Sequence, residues 1–153
     1  MHPNTQLIET FYQAFGRRDS AVMNACYTED VVFTDPVFET LRGDDARRMW
    51  RMLCRRAKDL KIEASGIEAD DNQGRAHWVA SYTFGGTGNY VVNRIDAAFV
   101  FRDGKIAQHT DQFDLYRGAR QALGLKGVLL GWLPLVQAAV RKQAAEGLSK
   151  FKE

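Results

Sequence analysis

An α+β fold is predicted by three features of the 153-residue chain. Apolar residues recur at helical spacing up to about residue 57, and from about Leu60 to Phe113 the period changes to two. The alternating runs are separated by the turn-forming stretches "DDNQG", "GGTG" and "RDG", which favours a meander of antiparallel strands. Helices followed by such a run place a curved sheet over the helices on one face.

The first helix opens at Asn4 or Thr5 as N-cap, carries Leu7, Ile8, Phe11, Ala14 and Phe15 on its apolar side, and ends near Arg17. Asp19 or Ser20 caps a second, short helix through about Tyr27, with Val22, Ala25 and Cys26 apolar. In "EDVVFTDPVFETLRG" a β-rich run is broken by Pro36, whose missing N–H excludes it from a central ladder position. A third helix follows Gly43 and Asp44. Its stripe is Ala46, Met49, Trp50, Leu53, Cys54 and Ala57, and its arginines at 47, 48, 51, 55 and 56 form a solvated face. Strands are expected at 60 to 70, 75 to 84, 89 to 102 and 105 to 115.

The composition is that of a globular chain, 45% hydrophobic and 26% charged, and 153 residues suit one core. A formal charge of +2 gives no electrostatic case for nucleic acid, and no stacking aromatics interleave with the arginines of the third helix. Cys26 and Cys54 lack CxxC spacing and fall on helical apolar stripes, which points to buried free thiols and a cytoplasmic, reducing location. Residues 1–19 show no basic stretch ahead of a long apolar run, and eighteen consecutive apolar residues occur nowhere, so neither secretion nor a membrane span is expected.

The stretch "HTDQFDL", residues 109 to 115, poses the functional question of which way Asp111 points. A two-residue loop at Asp103 and Gly104 sets Asp111 opposite Asp96. A three-residue loop, with Gly104 in a bulge, sets Asp111 opposite Ile95, His109 opposite Ala97, Ala107 opposite Phe99 and Phe113 opposite Asn93. The more apolar face of the preceding strand is Val91, Asn93, Ile95, Ala97, Phe99 and Phe101. The three-residue register matches it and turns Asp111 inward, beside His109 and Asn93. Trp78, Ala80, Tyr82 and Phe84 supply a bulky wall, so an apolar pocket with a few polar groups is expected.

These residues resemble the nuclear transport factor two-like superfamily, which includes ketosteroid isomerases, limonene epoxide hydrolase and the SnoaL-like polyketide cyclases. The resemblance covers about residues 5 to 116 and rests on "IETFYQAFGRRD", on "YTEDVVFTDPVF" running to "LRG", and on "FVFRDGKIAQHTDQFD". It implies a cone, a strongly bent antiparallel sheet wrapped around three N-terminal helices, occupying residues 1–117. Residues 118–153 are expected to form a C-terminal helical extension packed on the same domain or on a partner. Asp35 matches the isomerase general base, and Asp111 the acid/base aspartate of the hydrolase and cyclases. The isomerase oxyanion tyrosine falls at Phe11, which has no donor, and its protonated aspartate at Ala97; the adjacent Tyr12 is expected to project about 100° around the helix. The hydrolase Arg-x-Asp pair falls at Trp78 and Ala80. Steroid isomerisation and epoxide hydrolysis are thereby both weakened.

Asp35, Asp111 and His109 are thus the catalytic candidates for isomerase, cyclase or hydrolase chemistry on a small hydrophobic carbonyl or epoxide compound, and no cofactor is called for. Burial among Phe33, Trp50, Trp78 and Phe113 should raise a carboxyl pKa toward working pH. Those four residues with Phe11 and Tyr82 are expected to contact the ligand, and Asn93 to donate to a developing oxyanion. The alternative is a non-catalytic module that binds a small molecule or a protein. His2, His77 and His109 are too scattered for a metal site. The apolar run Leu129, Leu130, Trp132, Leu133, Leu135, Val136 and Val140 is expected to serve as a lid or a homodimer contact rather than on a membrane surface.

Overall fold

The computed structural model describes residues 1–83, 88–114, 117 and 134–152, the side chains at 134–137 and 139 excepted. Helices α1 (Pro3–Gly16), α2 (Ser20–Ala25) and α3 (Asp44–Arg56) precede and interrupt the sheet, and α4 (Pro134–Ser149) follows it. Six strands form one curved, unclosed sheet: β1 (Tyr27–Asp35), β2 (Glu39–Arg42), β3 (Lys61–Ala69), β4 (Gln73–Thr83), β5 (Tyr90–Arg102) and β6 (Lys105–Gln112). Their order is β2-β1-β6-β5-β4-β3, so the expected meander from β3 to β6 is present. Strand β1 joins it by a parallel pairing with β6 that sequence reading did not anticipate.

Helix α1 starts earlier than expected. Pro3 occupies its first turn and the ring nitrogen Nδ1 of His2 accepts the Asn4 N–H at 3.0 Å, a cap that proline's fixed φ favours. The side chain of Asn4 donates instead to the Asp70 carbonyl at 2.9 Å, tying the helix to the β3–β4 turn. Asp19 caps α2 through the Val22 N–H, as expected, but that helix stops at Ala25 and Tyr27 opens β1. The arginines of α3 are not merely solvated. Arg47 donates to the Glu29 carbonyl at 2.9 Å, while Arg48 and Arg55 donate to the carbonyls of Phe151 and Lys152. The guanidinium groups of Arg48, Arg55 and Arg56 also surround the Phe151 ring, which is buried with Leu148.

The hairpin between β5 and β6 corrects the expected register. Asp103 and Gly104 have φ of 54° and 76° and form a two-residue turn, with Arg102 opposite Lys105. Left alone, that turn would put Asp111 on the solvent face. Val100 pairs with Gln108 while Phe101 pairs with Ile106, so Ala107 is an extra residue that restores the inward parity. Asp111 therefore lies opposite Ala97, and His109 opposite Phe99. The bulge belongs to Ala107, not to Gly104.

The core is one aromatic-rich cluster that includes Phe11, Phe15, Phe33, Trp50, Trp78 and Phe99. Cys26 and Cys54 are free and buried within it. At Gly74 a Cβ would lie 2.9 Å from Ile8 Cδ1 and 2.9 Å from two atoms of the Phe101 ring. Gly74→Ala should consequently lower the unfolding free energy by about 1–3 kcal/mol through overpacking, measured by denaturant titration; an unchanged midpoint would show that Ile8 and Phe101 yield freely. No described helix is long and apolar enough to cross a membrane.

Candidate functional site

Strand β6 sends His109 and Asp111, two residues apart, to the same inner face. Their exposures are 0% and 3%, so both must find partners inside the protein. His109 Nε2 lies 2.8 Å from Asp111 Oδ1, and the Trp78 indole N–H donates to the same oxygen at 3.3 Å. On the other side, His109 Nδ1 is 2.7 Å from the Tyr27 hydroxyl, which accepts the Trp50 indole N–H at 2.8 Å. Four elements, α3, β1, β4 and β6, thus contribute to one buried chain of hydrogen bonds.

Donor counting gives this chain its direction. Indole nitrogen only donates, so Tyr27 accepts from Trp50 and keeps its own proton available for His109 Nδ1. In the neutral tautomer that accepts this proton, the imidazole carries its own on Nε2 and donates it to Asp111. Both described hydrogen bonds of the carboxylate fall on Oδ1, and none of those described falls on Oδ2. The rings of Phe11, Phe33, Trp50 and Phe99 have centroids 5.5, 5.1, 6.1 and 4.6 Å from that of His109 and hold the imidazole in place.

Asp35 closes β1, one residue past Thr34, which pairs with Thr110. Its Oδ1 accepts the N–H groups of Val37 at 3.0 Å and Phe38 at 2.6 Å, so it ties the turn that Pro36 begins. Burial pushes its pKa up to about 6, the Phe38 N–H opposes this, and the charge of Asp111 adds to the rise. The charge of Asp111 is thus felt at Asp35, although Asp35 also does the work of a turn residue.

The other candidates divide. Phe11, Phe33, Trp50 and Trp78 are all buried around the His109–Asp111 pair. Phe113 is half-buried beyond the end of β6, not paired with Asn93, which lies opposite Ala80. Asn93 hydrogen-bonds the Tyr82 hydroxyl, whose pKa burial raises and this bond lowers. That pair has no described link to Asp111. Phe84, Leu115 and the apolar run from Leu129 to Val136 lie outside the described residues or side chains, whereas Val140 is half-buried on α4.

Sequence reading missed Tyr27 and Tyr12. Tyr27 was assigned to the end of a helix, and only the parallel β1–β6 pairing brings it to His109. Tyr12 is 4% exposed despite its turn away from Phe11, because helix α1 buries residues around a broad arc of its surface. Two clefts of about 540 Å³ each flank the core. One runs between α1 and β3 with Tyr12 on its wall, and the other between the β1–β2 turn and α4, where Arg141 donates to the Pro36 carbonyl at 2.8 Å. Asp111 and His109 line neither. Among the described residues no three His, Cys, Asp or Glu side chains cluster as a metal site.

A curved, unclosed sheet over N-terminal helices is the nuclear transport factor two-like fold. Residues 8–109 match the model of the SnoaL-like domain, and the chain belongs to that family. Comparison with curated proteins gives no match. Among solved structures the chain is similar to an LEH-like epoxide hydrolase of M. tuberculosis, at 21% identity and TM-score 0.65 over 86% of this chain and 96% of that one. It is also similar to an NTF2-like protein of unknown function from Burkholderia pseudomallei, at 19% identity and TM-score 0.69 over 80% and 98% of the two chains. A protein of Xanthomonas campestris pv. campestris assigned to the polyketide cyclases gives 26% identity and TM-score 0.64 over 78% and 96%.

Proposed function

We propose that the protein is a cofactor-independent acid/base enzyme of the isomerase, cyclase or hydrolase type, acting on a small hydrophobic carbonyl or epoxide compound, with Asp111 as the proton acceptor. The observation that carries this reading is the buried chain from Trp50 through Tyr27 and His109 to Asp111. It fixes the carboxylate in one orientation through Oδ1, and none of the described hydrogen bonds falls on Oδ2, which suits a general base. With a ketone, Oδ2 takes a proton from the carbon beside the carbonyl, the C–H electrons move to the carbonyl oxygen, and the proton returns to another carbon or to water. His109 and Trp78 hold the carboxylate, and Asp35 is a second carboxyl within electrostatic reach. The sequence similarity to a SnoaL-like domain and the structural similarity to an epoxide hydrolase agree with this class of chemistry without selecting a substrate.

The test is proton exchange at the α-carbon of 2-tetralone in D₂O followed by NMR. The wild type should accelerate exchange, and Asp111→Asn, which keeps the shape of the site, should lose about 100-fold or more of that acceleration. Equal rates would remove Asp111 from the mechanism.

A second reading is a non-catalytic module that binds a small molecule or a protein; under either reading we place the protein in the cytoplasm as a homodimer. The second reading draws on the dense ring packing around His109 and on Phe11, Trp78 and Ala80, which stand where the better-known enzymes of this fold carry polar groups. Under this reading 2-tetralone binds and no variant alters its exchange.

A further inference from the structure

The cleft of about 540 Å³ between α4 and the β1–β2 turn takes no part in the His109 chain, and its lining carries an uneven charge. Helix α4 contributes Ala138, Arg141, Lys142 and Ala145, the i, i+3, i+4 and i+7 positions of one helical face. The turn supplies Val37 and Phe38, both half-buried, and the exposed Glu39. Arg141 is itself half-buried and is held in place. Its Nε–H donates to the Pro36 carbonyl at 2.8 Å, a bond that joins α4 to the turn and leaves the other four guanidinium donors without an acceptor among the described residues. Neither Arg141 nor Lys142 forms an ion pair with a described acidic side chain. Two cations against the one carboxylate of Glu39 leave the lining with an excess of one positive charge.

We infer that this cleft binds an organic monoanion, a carboxylate on an apolar body, with Arg141 and Lys142 on the carboxylate and Val37 and Phe38 against the body. A guanidinium already anchored through one N–H loses little further freedom when it takes a ligand, and its planar fork matches the two oxygens of a carboxylate. The volume lies in the range of small-molecule sites, and the two apolar residues of the turn give the body a surface to cover. One negative charge brings the lining to neutrality. A second would meet the Glu39 carboxylate, and a cationic ligand would face Arg141 and Lys142. Neither Asp111 nor His109 lines this cleft, so the inference goes beyond the proposed chemistry and does not depend on it. The site does have a reporter of its own, because the Val37 and Phe38 N–H groups are fixed by their bonds to Asp35 Oδ1.

The experiment titrates the full chain at neutral pH with 2-naphthoate and with its neutral counterpart 2-naphthamide, followed in the backbone and indole N–H resonances. Naphthoate should saturate below about 1 mM and bind about tenfold more tightly than the amide, with the Val37 and Phe38 resonances shifted and the Trp78 indole unmoved. Added salt should narrow the difference between the probes. Lys142→Gln, at an exposed position with no described contact, should weaken naphthoate about threefold and leave the amide unchanged. Arg141→Gln should bring naphthoate down to the affinity of the amide. Because that substitution also removes the bond to Pro36, Lys142→Gln carries the test if α4 is displaced. Equal binding of the two probes with the cleft resonances shifted would make this an apolar groove and overturn the inference. So would a naphthoate that shifts Trp78 and not Phe38, one that shifts neither, or one whose affinity is unaltered in both variants.

Discussion

Asp35→Asn should stabilise the protein at pH 8 and leave its stability almost unchanged at pH 4. The folded chain holds the Asp35 proton up to about pH 6, against an ordinary value of 3.8. Between those values the folded state binds more protons than the unfolded state, so the contribution of Asp35 to stability is lost as pH rises through the window. At about 1.36 kcal/mol per pH unit, the rise corresponds to roughly 3 kcal/mol of destabilisation by the ionised group above pH 6. Asparagine carries no charge to desolvate, and its Oδ1 can still accept the Val37 and Phe38 N–H groups that hold the turn. Urea titrations of both proteins from pH 4 to pH 8 should therefore diverge steadily. Parallel curves would show that the Asp35 carboxylate is better solvated than its burial indicates.

Tyr27→Phe should cost roughly 2–4 kcal/mol of stability, although it deletes one oxygen atom and keeps the ring. Two buried groups lose their partner together: the Trp50 indole N–H and His109 Nδ1, at 2.8 and 2.7 Å from that hydroxyl. The imidazole would then be free to change tautomer, with its proton on Nδ1 and nothing to donate to Asp111. The variant should accordingly slow 2-tetralone exchange and shift its pH profile, an effect that loss of packing alone would not produce. Tyr82→Phe is the control: its hydroxyl meets Asn93, away from the His109 chain, and it should leave the exchange profile intact. A Tyr27→Phe protein as stable as the wild type would mean that water replaces the hydroxyl and that the chain does not orient Asp111.

The α+β class, the helices and the β3–β6 meander follow from the sequence because each depends on neighbours along the chain. The period of the apolar residues selects helix or strand, and Asp19, Asp103 and Gly104 mark their own cap and turn. The choice of inner face on β5 was legible for the same reason: Val91, Ile95, Ala97, Phe99 and Phe101 are all buried there.

The site was only half legible. His109 and Asp111 could be placed on one face together, but the inward turn of that face comes from a bulge at Ala107, a residue with no turn preference of its own. Its extra place in the strand is set by the parallel seat of β6 on β1 and by the Ile106 N–H bonding to the Cys26 carbonyl at 2.9 Å. Tyr27 on β1 meets His109 from 82 residues away and Trp50 reaches Tyr27 from helix α3, and no local pattern encodes such a meeting. What the sequence alone determined is which residues prefer helix, strand or turn, and which faces are apolar. The tertiary structure decided the strand register and the partners of the buried imidazole, because hydrogen-bond satisfaction in a closed interior is a property of the whole packing and not of any one segment.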